Sequence, residues 1–466
     1  MQTSEQNNLA QMASAAWQKS KWIIKGAIVF VIALLLMIPT MYVKDLIYER
    51  QQRQVQATKE ITNKWAGKQN IIGPLLSIPY WETNSADSSK SNMVKKYAFF
   101  LPDSAAIQAT MLPKEKHRGI FKVMLYESTI NISGKFSTLA IDKLNIPANK
   151  FIWNEALLIM SIADTKGFNE QLSIKWRDTP LELTPYLANN TECMATPLPI
   201  SSLDDFTNAH FSTTLSINGA EQLLLTPTGK STTIVINSKW KHPSFAGNAL
   251  PQSTQISDSG FTAHWKSFSH KRNFPQQWKG NDFSLGHYFP TPASEVQNPN
   301  YRVDTNPSTS NAVSHAAVGV DLYVPVNGYQ KTLRTIKYAL LCILLTFAAF
   351  FLIETSNKKS AHPFQYGLIG IALILFYTLL LSISEYTGFN AAYIIASTAT
   401  IALIGWFAKS ILDTGRAATI LSFALVLIYA YIFSLLQLQD YSLLFGSIGL
   451  FVTLAVVMHF SKRLKW

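Results

Sequence analysis

Few stretches of this sequence place reactive side chains at the spacing that a known type of site requires. No His-Glu-x-x-His, Gly-x-Ser-x-Gly or Cys-x-x-Cys motif occurs, so the common zinc-protease, serine-hydrolase and dithiol signatures are missing. Thr228-Gly229-Lys230-Ser231 resembles the end of a phosphate-binding loop, but no glycine stands five residues before Gly229. Because strand-like segments flank this tetrapeptide, we predict a hairpin turn there rather than a nucleotide site.

The densest group of aromatic and histidine residues contains Trp240, His242 and Trp265. Exposed aromatic rings of this kind could bind a glycan or a peptide. Together with His264 and His270, the histidine could also form a metal site. The alternative is a pair of strand ends with the aromatic rings in the core, and we favour it because spacing alone does not bring the histidines together.

Glu385 is the strongest candidate in the apolar parts of the chain, since ionisable residues in membrane segments are functional hypotheses by default. Ser382 and Ser384 precede it and form a small polar cluster with it. The glutamate falls at the end of its apolar run, where water is close, so we favour a structural role. No acidic residue lies in the middle of a run, which gives an ion relay little support.

The composition is that of a membrane protein, so a membrane helix must position Glu385. Of the 466 residues, 48% are hydrophobic and only 15% are charged, whereas about 25% are charged in soluble domains. Six apolar runs are long enough to span a bilayer as helices. The first has no small-residue cleavage pattern, so we predict an uncleaved signal anchor. The six runs are 22–43, 338–353, 366–384, 389–407, 417–437 and 441–460.

The basic residues of the short connections predict the orientation of these spans. Every second connection carries Lys or Arg, which predicts that both termini, 1–21 and the end of 335–466, are cytoplasmic. The segment 44–334 then lies on the opposite side of the membrane, outside the cytoplasm. The formal net charge of +12 therefore reflects membrane topology and not nucleic-acid binding. The basic residues that set this pattern are Lys19, Lys21, Lys358, Lys359, Lys409, Arg416, Lys462, Arg463 and Lys465.

The external segment 44–334 is predicted to begin as a helical stalk over 44–64, which Gly67 and Gly73-Pro74 end. Short alternating or β-branched segments follow, and they favour an antiparallel β-sandwich or a barrel-like sheet over a βαβ architecture. The Ser/Asn-rich stretches 85–91 and 297–314 are predicted loops. The predicted strands are 120–125, 128–136, 157–162, 173–176, 212–217, 222–225 and 232–237.

The two cysteines, Cys193 and Cys342, fall in different predicted compartments. Cys193 lies in the external segment and Cys342 in an apolar run. We therefore expect no disulfide bond between them.

Short sequence blocks spread along the whole chain match a known pattern. The blocks are Glu49-Arg50, Gly73-Pro74, Arg118 to Val123, Trp240 with His242 to Phe245, Gly260-Phe261, His362 to Tyr366, Phe376-Tyr377, Leu379 to Glu385, Gly388-Phe389, Ala392-Tyr393, Leu438 to Tyr441, Leu443-Leu444 and Gly446-Ser447. In these blocks the chain resembles the CreD family of inner-membrane cell-envelope proteins. The resemblance implies an inner-membrane protein with a periplasmic domain, linked with envelope integrity, β-lactam stress and tolerance to certain colicins. It implies no enzymatic activity and offers no catalytic residues.

The interpretation is an α-helical six-span membrane protein with a large β-rich periplasmic domain that acts in the envelope stress response by binding. Its expected partners are membrane lipid and a periplasmic protein or cell-wall component, with no cofactor, no nucleic acid and no catalysis. The candidate functional residues are Glu385, Trp240, His242 and Trp265. Two alternatives stay open: a transporter or channel-like component built on the last five helices, and an envelope hydrolase with a site formed only in the fold.

Overall fold

The structure is a computed structural model, and the chain forms two compact units. One contains Met1–Gln56 and Val326–Trp466, and the other contains Ala57–Pro325. We call them the helical unit and the β-rich domain. The residues that the structure describes are 24–83, 93–137, 139–188, 190–207, 209–290, 313–322, 328–357, 361–412, 415–438, 444–449, 451, 455 and 458.

Five helices are long and apolar enough to cross a membrane in the part of the chain that is described. The first, α1, runs Ile24–Trp65 with one non-helical turn residue at Leu36. A short helix, α2 (Gly328–Lys337), precedes the others. The remaining four are α3 (Ala339–Ser356), α4 (Pro363–Thr387), α5 (Phe389–Leu412) and α6 (Gly415–Gln437).

The sixth predicted span, 441–460, lies largely outside the described residues. Within it, 444–449, 451, 455 and 458 are helical. The five helices that are described agree with the first five predicted spans, although their ends differ by several residues, because composition predicts an apolar length and caps decide where a helix begins.

The start of α4 shows how local sequence fixes a helix end. His362 is the residue before the helix, and its ring Nδ1 accepts a hydrogen bond from the Phe364 amide at 3.2 Å. In return, the Gln365 side chain accepts a hydrogen bond from the His362 amide at 2.9 Å. Pro363 occupies the first helical position, where its missing N–H costs nothing. The His-Pro-Phe-Gln block is therefore a helix start.

The predicted stalk is helical, and α1 continues to Trp65 without interruption after Leu36. The prediction that Gly73-Pro74 ends it is wrong, because a strand already begins at Gln69 and runs through both residues. Gly73 instead adopts φ 111, a conformation that favours glycine, and a Cβ there would lie 2.9 Å from the Ile159 carbonyl oxygen.

The β-rich domain contains two sheets. Nine strands form the first sheet: β1 (Gln69–Thr83), β2 (Met93–Phe100), β5 (Leu157–Ile162), β8 (Thr184–Ala188), β9 (Thr191–Pro197), β11 (Gln222–Thr226), β13 (Pro243–Gly247), β16 (Gln277–Lys279) and β17 (Val318–Leu322). Eight strands form the second: β3 (Ser104–Arg118), β4 (Phe121–Phe136), β6 (Ser173–Trp176), β7 (Thr179–Glu182), β10 (Ala209–Ala220), β12 (Ser231–Ser238), β14 (Ser253–Ser257) and β15 (Gly260–Phe268).

The strand order of the eight-stranded sheet is β14-β15-β12-β3-β4-β10-β6-β7. The nine-stranded sheet follows β13-β17-β11-β1-β5-β9-β8, with β2 on β1 and β16 on β2. Inward side chains of both sheets share one core, which includes Leu76 and Leu158 of the first sheet with Ile107 and Ile130 of the second. The sequence predicts antiparallel pairing, but the sandwich is mixed. β1 pairs with β11 in parallel, and so does β12 with β3.

The central strand β1 is buried on both faces, and this explains why its sequence does not alternate. Its outward residues Ile72 and Leu75 pack in a second apolar cluster with Phe99, Trp278 and Leu285. The segment after β15 supplies this cover for the nine-stranded sheet. A strand covered on both sides reads as a continuous apolar run, and periodicity alone does not identify it.

The hairpin predicted at Thr228-Gly229-Lys230-Ser231 is wrong. β11 belongs to the nine-stranded sheet and β12 to the other, so this tetrapeptide connects the two layers. The guanidinium of Arg272 donates to the Thr228 carbonyl oxygen at 2.6 Å, and the Lys230 amide donates to the Pro102 carbonyl oxygen at 2.9 Å. These contacts give the stretch a structural role.

Both cysteines are buried and free, one in each unit. Of the two predicted loops, 85–91 lies outside the described residues, as does 297–314 apart from its last two residues.

Candidate binding surface on the eight-stranded sheet

One face of the eight-stranded sheet points away from the shared core, and its middle carries polar side chains without charge. We call it the outer face. Because side chains alternate along a strand, the register aligns outward residues into rows across neighbouring strands. The first row crosses six strands, from β14 to β10. It contains Gln255, Thr262, Asn237, Thr110, Thr129 and Ser216.

The next row is also free of Asp, Glu, Lys and Arg. Its members are exposed except for Val235, which is half-buried, and Thr214 donates to the Asn131 side chain at 2.8 Å. Strands lie about 4.8 Å apart, so each six-strand row spans about 24 Å. Hydroxyl and amide groups over this width can donate and accept hydrogen bonds, which suits a neutral polar partner. The row contains Ser253, His264, Val235, Gln108, Asn131 and Thr214.

A shallow cleft of about 310 Å³ opens on this face. Four members of the first row, Thr110, Asn237, Gln255 and Thr262, line it. Lys239 contributes the only charged side chain of its lining. The cleft therefore combines hydroxyls, amides and one cation with the apolar side chains of Met111, Leu112 and Phe261 at the β14 end of the sheet.

Where β4 begins and β10 ends, the outer face is apolar and covered. Val123 and Leu125 of β4 pack with Ala220 of β10, and Ile61 and Trp65 of α1 lie against them. The end of α1 thus shields the apolar part of the face, while the polar rows stay exposed. Two adjacent rows of uncharged side chains, polar except for Val235, suit the binding of polar ligands.

The aromatic residues singled out from the sequence lie mainly in or against the core. Trp265 is 4% exposed, and its indole N–H donates to the Ala249 carbonyl oxygen at 3.0 Å. Trp240 is half-buried against the same core and donates to the His242 carbonyl oxygen at 2.8 Å. The His242 side chain is exposed. Trp265 is therefore unavailable to a ligand, and the pair Trp240–His242 forms a local turn contact.

The histidines of this region do not converge. His264 projects from the outer face, whereas the ring of His270 stacks on Phe268 at 5.6 Å between centroids. Among the described residues, no group of three or more His, Cys, Asp and Glu side chains is positioned to hold a metal ion.

One serine–histidine pair does come together, although the linear sequence gave no sign of it. The Ser161 hydroxyl of β5 lies 2.9 Å from His287 Nε2 and donates to the Leu285 carbonyl oxygen at 3.2 Å. Ser161 is fully buried, and burial lowers the pKa of His287 to about 4. A general base works best with a pKa near the ambient pH, and the pKa of His287 lies well below it. We therefore assign the pair a structural role, in which it links β5 to the segment that covers it.

Cys193 adjoins this pair within the cover of the nine-stranded sheet. A hydrogen bond with Ser161 stabilises its thiolate, but burial has the larger effect and raises the pKa of the thiol. Reactive cysteines need the opposite environment, with a lowered pKa and access to solvent. Cys193 is therefore a packing residue.

In the helical unit, Glu385 lies in a polar contact near the end of α4. Its carboxylate accepts a hydrogen bond from the Tyr329 hydroxyl at 3.0 Å. The Arg50 guanidinium approaches the same oxygen at 3.9 Å, and the Glu385 side chain is 10% exposed. The glutamate thus joins α1, α2 and α4.

Glu354 ends the second apolar run on the predicted cytoplasmic side, and from the sequence alone its case for a functional role is weak. It is fully buried at the end of α3, where its carboxylate pairs with Lys25 of α1. The Tyr366 hydroxyl donates to it at 2.6 Å, and the Ala361 amide donates at 2.7 Å. Opposite charges near the same predicted end of two apolar runs were the available signal.

Comparison with known proteins adds the family. The sequence profile described as Inner membrane protein CreD matches residues 21–466. The chain belongs to the CreD family. A relative, Inner membrane protein CreD of Escherichia coli (strain K12), is 29% identical over 454 residues, which cover 96% of this chain and 94% of the relative. With its apolar helices, the chain is a multi-pass inner-membrane protein.

Proposed function

We propose that this CreD-family protein supports the integrity of the cell envelope by binding a periplasmic protein or cell-wall component through the outer face of its eight-stranded sheet. The observation that carries the proposal is the pair of uncharged polar rows across six strands. They are exposed or half-buried, while the apolar end of the same face is covered by α1. The cleft at the β14 end offers a defined contact point.

The proposal includes the orientation of the chain. The alternation of basic connections favours six spans, cytoplasmic termini and a periplasmic β-rich domain. Lys358 and Lys359 follow α3, Lys409 lies in the last turn of α5 and Arg416 is the second residue of α6, whereas the connection between α4 and α5 contains no Lys or Arg. A domain on the periplasmic side is where an envelope-binding surface has to be.

Charge insertion on the outer face tests the binding role. Thr110 and Thr262 point outward into the cleft, so Thr110→Glu with Thr262→Glu should leave the fold intact while opposing a neutral partner. The control is Thr179→Glu, which adds one of the two negative charges of the double variant at an exposed threonine of β7 in the same sheet. Each variant is expressed in a strain that lacks the chain, and the envelope barrier to detergent and β-lactam is measured.

We expect the double variant to fail to restore the barrier at wild-type abundance, and Thr179→Glu to restore it. Full restoration by the double variant, at equal abundance, would overturn the proposal.

Transport is the second candidate, and Glu354 is the residue that bears on it. A buried glutamate that faces a water-filled cavity would favour transport. Glu354 instead has its carboxylate oxygens occupied by Lys25, Tyr366 and the Ala361 amide. This full set of partners favours a structural ion pair, so binding stays the leading proposal.

A further inference from the structure

The exposed edges of the two sheets differ in a way that points to one of them as an interface. A strand at a sheet edge directs every second amide and carbonyl group to the open side, where another strand can pair. Proteins protect such edges with proline, charge or short length. Within the described part of the β-rich domain, the edge strands are β7, β8, β13, β14 and β16.

Four of these edges carry a protecting feature. Pro180 lies in β7, Pro185 in β8 and Pro243 at the start of β13. The strand β16 has only three residues. Proline removes the amide donor that an added strand would need, and three residues offer too short a ladder.

The strand β14 carries none of these features. Its sequence, Ser-Thr-Gln-Ile-Ser, contains no proline, no glycine and no charge, and all five residues are exposed. Among the described residues it pairs only with β15. A β14 edge of this kind is open to a further strand.

We propose that β14 pairs antiparallel with β14 of a second copy of this chain, about a two-fold axis at Gln255. This register places Ser253 beside Ser257 of the partner subunit and Thr254 beside Ile256 of the partner subunit. Each Gln255 meets its own equivalent. An isologous contact of this type closes as a dimer and leaves no free β14 edge.

The side chains of β14 suit a second copy of themselves. Ile256 is 55% exposed although its β15 neighbour, Phe261, lies in the core at 4%. Pairing covers Ile256 of both subunits on the core side of the extended sheet. On the outer side, the Gln255 amide group can donate to and accept from its equivalent. Because the strand has no charge, pairing sets no like charges against each other.

The dimer itself does not depend on the proposed function, but the role that we give it rests on that function. A two-fold axis at Gln255 runs perpendicular to the sheet, so the outer faces of both subunits lie on the same side. Gln255 ends the first uncharged row in each copy. The dimer therefore joins two rows of six strands into one row of twelve, which doubles the surface offered to an extended partner.

Cysteine crosslinking in native membranes tests the dimer without any ligand. Residues opposite each other in an antiparallel pair have Cα atoms about 4.5–5.5 Å apart, within the range of a disulfide. Gln255→Cys in the full chain, oxidised with copper phenanthroline, should give a disulfide-linked dimer on a non-reducing gel. The wild type should give none, because Cys193 and Cys342 are buried.

The matched control is Thr179→Cys, an exposed residue on the proline-bearing edge β7 of the same sheet. We expect the dimer fraction of Gln255→Cys to exceed that of Thr179→Cys at least about tenfold, since only the two-fold position meets disulfide geometry. Adding Ile256→Lys to Gln255→Cys replaces the covered apolar side chain with an ammonium group, which lies beside Thr254 of the partner subunit and diagonally across from its own equivalent, and should abolish the crosslink.

Equal crosslinking of Gln255→Cys and Thr179→Cys, or crosslinking that survives Ile256→Lys, would overturn the proposal. So would a Gln255→Cys protein that stays monomeric at wild-type abundance. A missing dimer combined with a barrier defect of the Thr110→Glu, Thr262→Glu variant would reject the pairing alone and leave the proposed function standing.

Discussion

Trp265 anchors the β14 end of the eight-stranded sheet, where its ring packs edge-on against Phe245 at 5.8 Å between centroids. Its indole nitrogen has a carbonyl partner, so the side chain is satisfied while nearly fully buried. The residue therefore contributes to the packing beneath the cleft and not to contact with a ligand.

Trp265→Ala is expected to lower the free energy of unfolding by about 3–5 kcal/mol, because it empties a buried aromatic site. Thermal unfolding of the detergent-solubilised chain, followed by tryptophan fluorescence, measures the change. Trp81→Ala is the control, since Trp81 is 41% exposed. A Trp265→Ala protein as stable as the Trp81→Ala protein would contradict the core assignment.

His287 makes stability depend on pH. Its pKa is lowered to about 4 in the folded chain by burial, against about 6.5 when unfolded. The unfolded chain therefore binds the proton first, and stability falls as the pH drops from about 6.5 to 4, by no more than about 3 kcal/mol. In His287→Gln, unfolding measured at pH 7 and pH 4.5 should show a smaller difference. An unchanged difference would contradict this assignment.

For individual residues, the sequence shows which side chains belong in the core but not which residues contact each other in the fold. The sequence predicts that Trp and Phe of the 239–265 region lie in the core, and Trp265 is buried. The Ser161–His287 contact joins residues 126 positions apart, and no local pattern encodes such a distance. The same holds for the outer-face rows, which exist only once the strand register is known.

Two of the polar contacts between helices of the helical unit involve α1. Lys25 pairs with Glu354 of α3, and Arg50 approaches Glu385 of α4. The two positions on α1 are 25 residues apart, which is about 38 Å along a helix. In the first contact Glu354 is fully buried and Lys25 is 12% exposed, whereas in the second Arg50 is 38% exposed, so the two contacts are expected to differ in energetic weight.

Removing Glu354 is expected to cost about 3–5 kcal/mol, because the Lys25 ammonium loses its carboxylate partner in a largely apolar environment. Glu354→Leu removes this carboxylate, whereas Glu354→Leu with Lys25→Met removes both charges. Thermal unfolding in detergent should show a large loss for the single variant and a partial recovery for the double variant. Equal losses in both would mean that the ion pair is not the cause.

Helices and strands were predictable where a local sequence pattern indicates them. The apolar runs, the stalk helix and strands such as 157–162 follow from length, composition and period. The prediction failed at β1, whose two buried faces hide its period, and at the connection between β11 and β12. Both depend on which sheet a strand joins, and a single sequence does not state this.

For the whole molecule, topology is the next testable property. Reporter enzymes fused after residues 60, 360, 387, 412 and 466 should read periplasmic, cytoplasmic, periplasmic, cytoplasmic and cytoplasmic in that order, because basic connections stay inside. Paired alkaline-phosphatase and cytoplasmic reporters measure each side. A cytoplasmic result after residue 60 would reject the periplasmic placement of the β-rich domain.

The central claim is that the outer face of the eight-stranded sheet is the binding surface, and in-cell photocrosslinking tests it most directly. A photoreactive residue is placed at Thr110, Asn237 or Thr262 on the outer face, and at Thr179 as the control on the β7 edge. Crosslinked products are identified by mass spectrometry. The account predicts one shared envelope component at the three outer-face positions and none at Thr179. The same products at all four positions, or none at any, would contradict it.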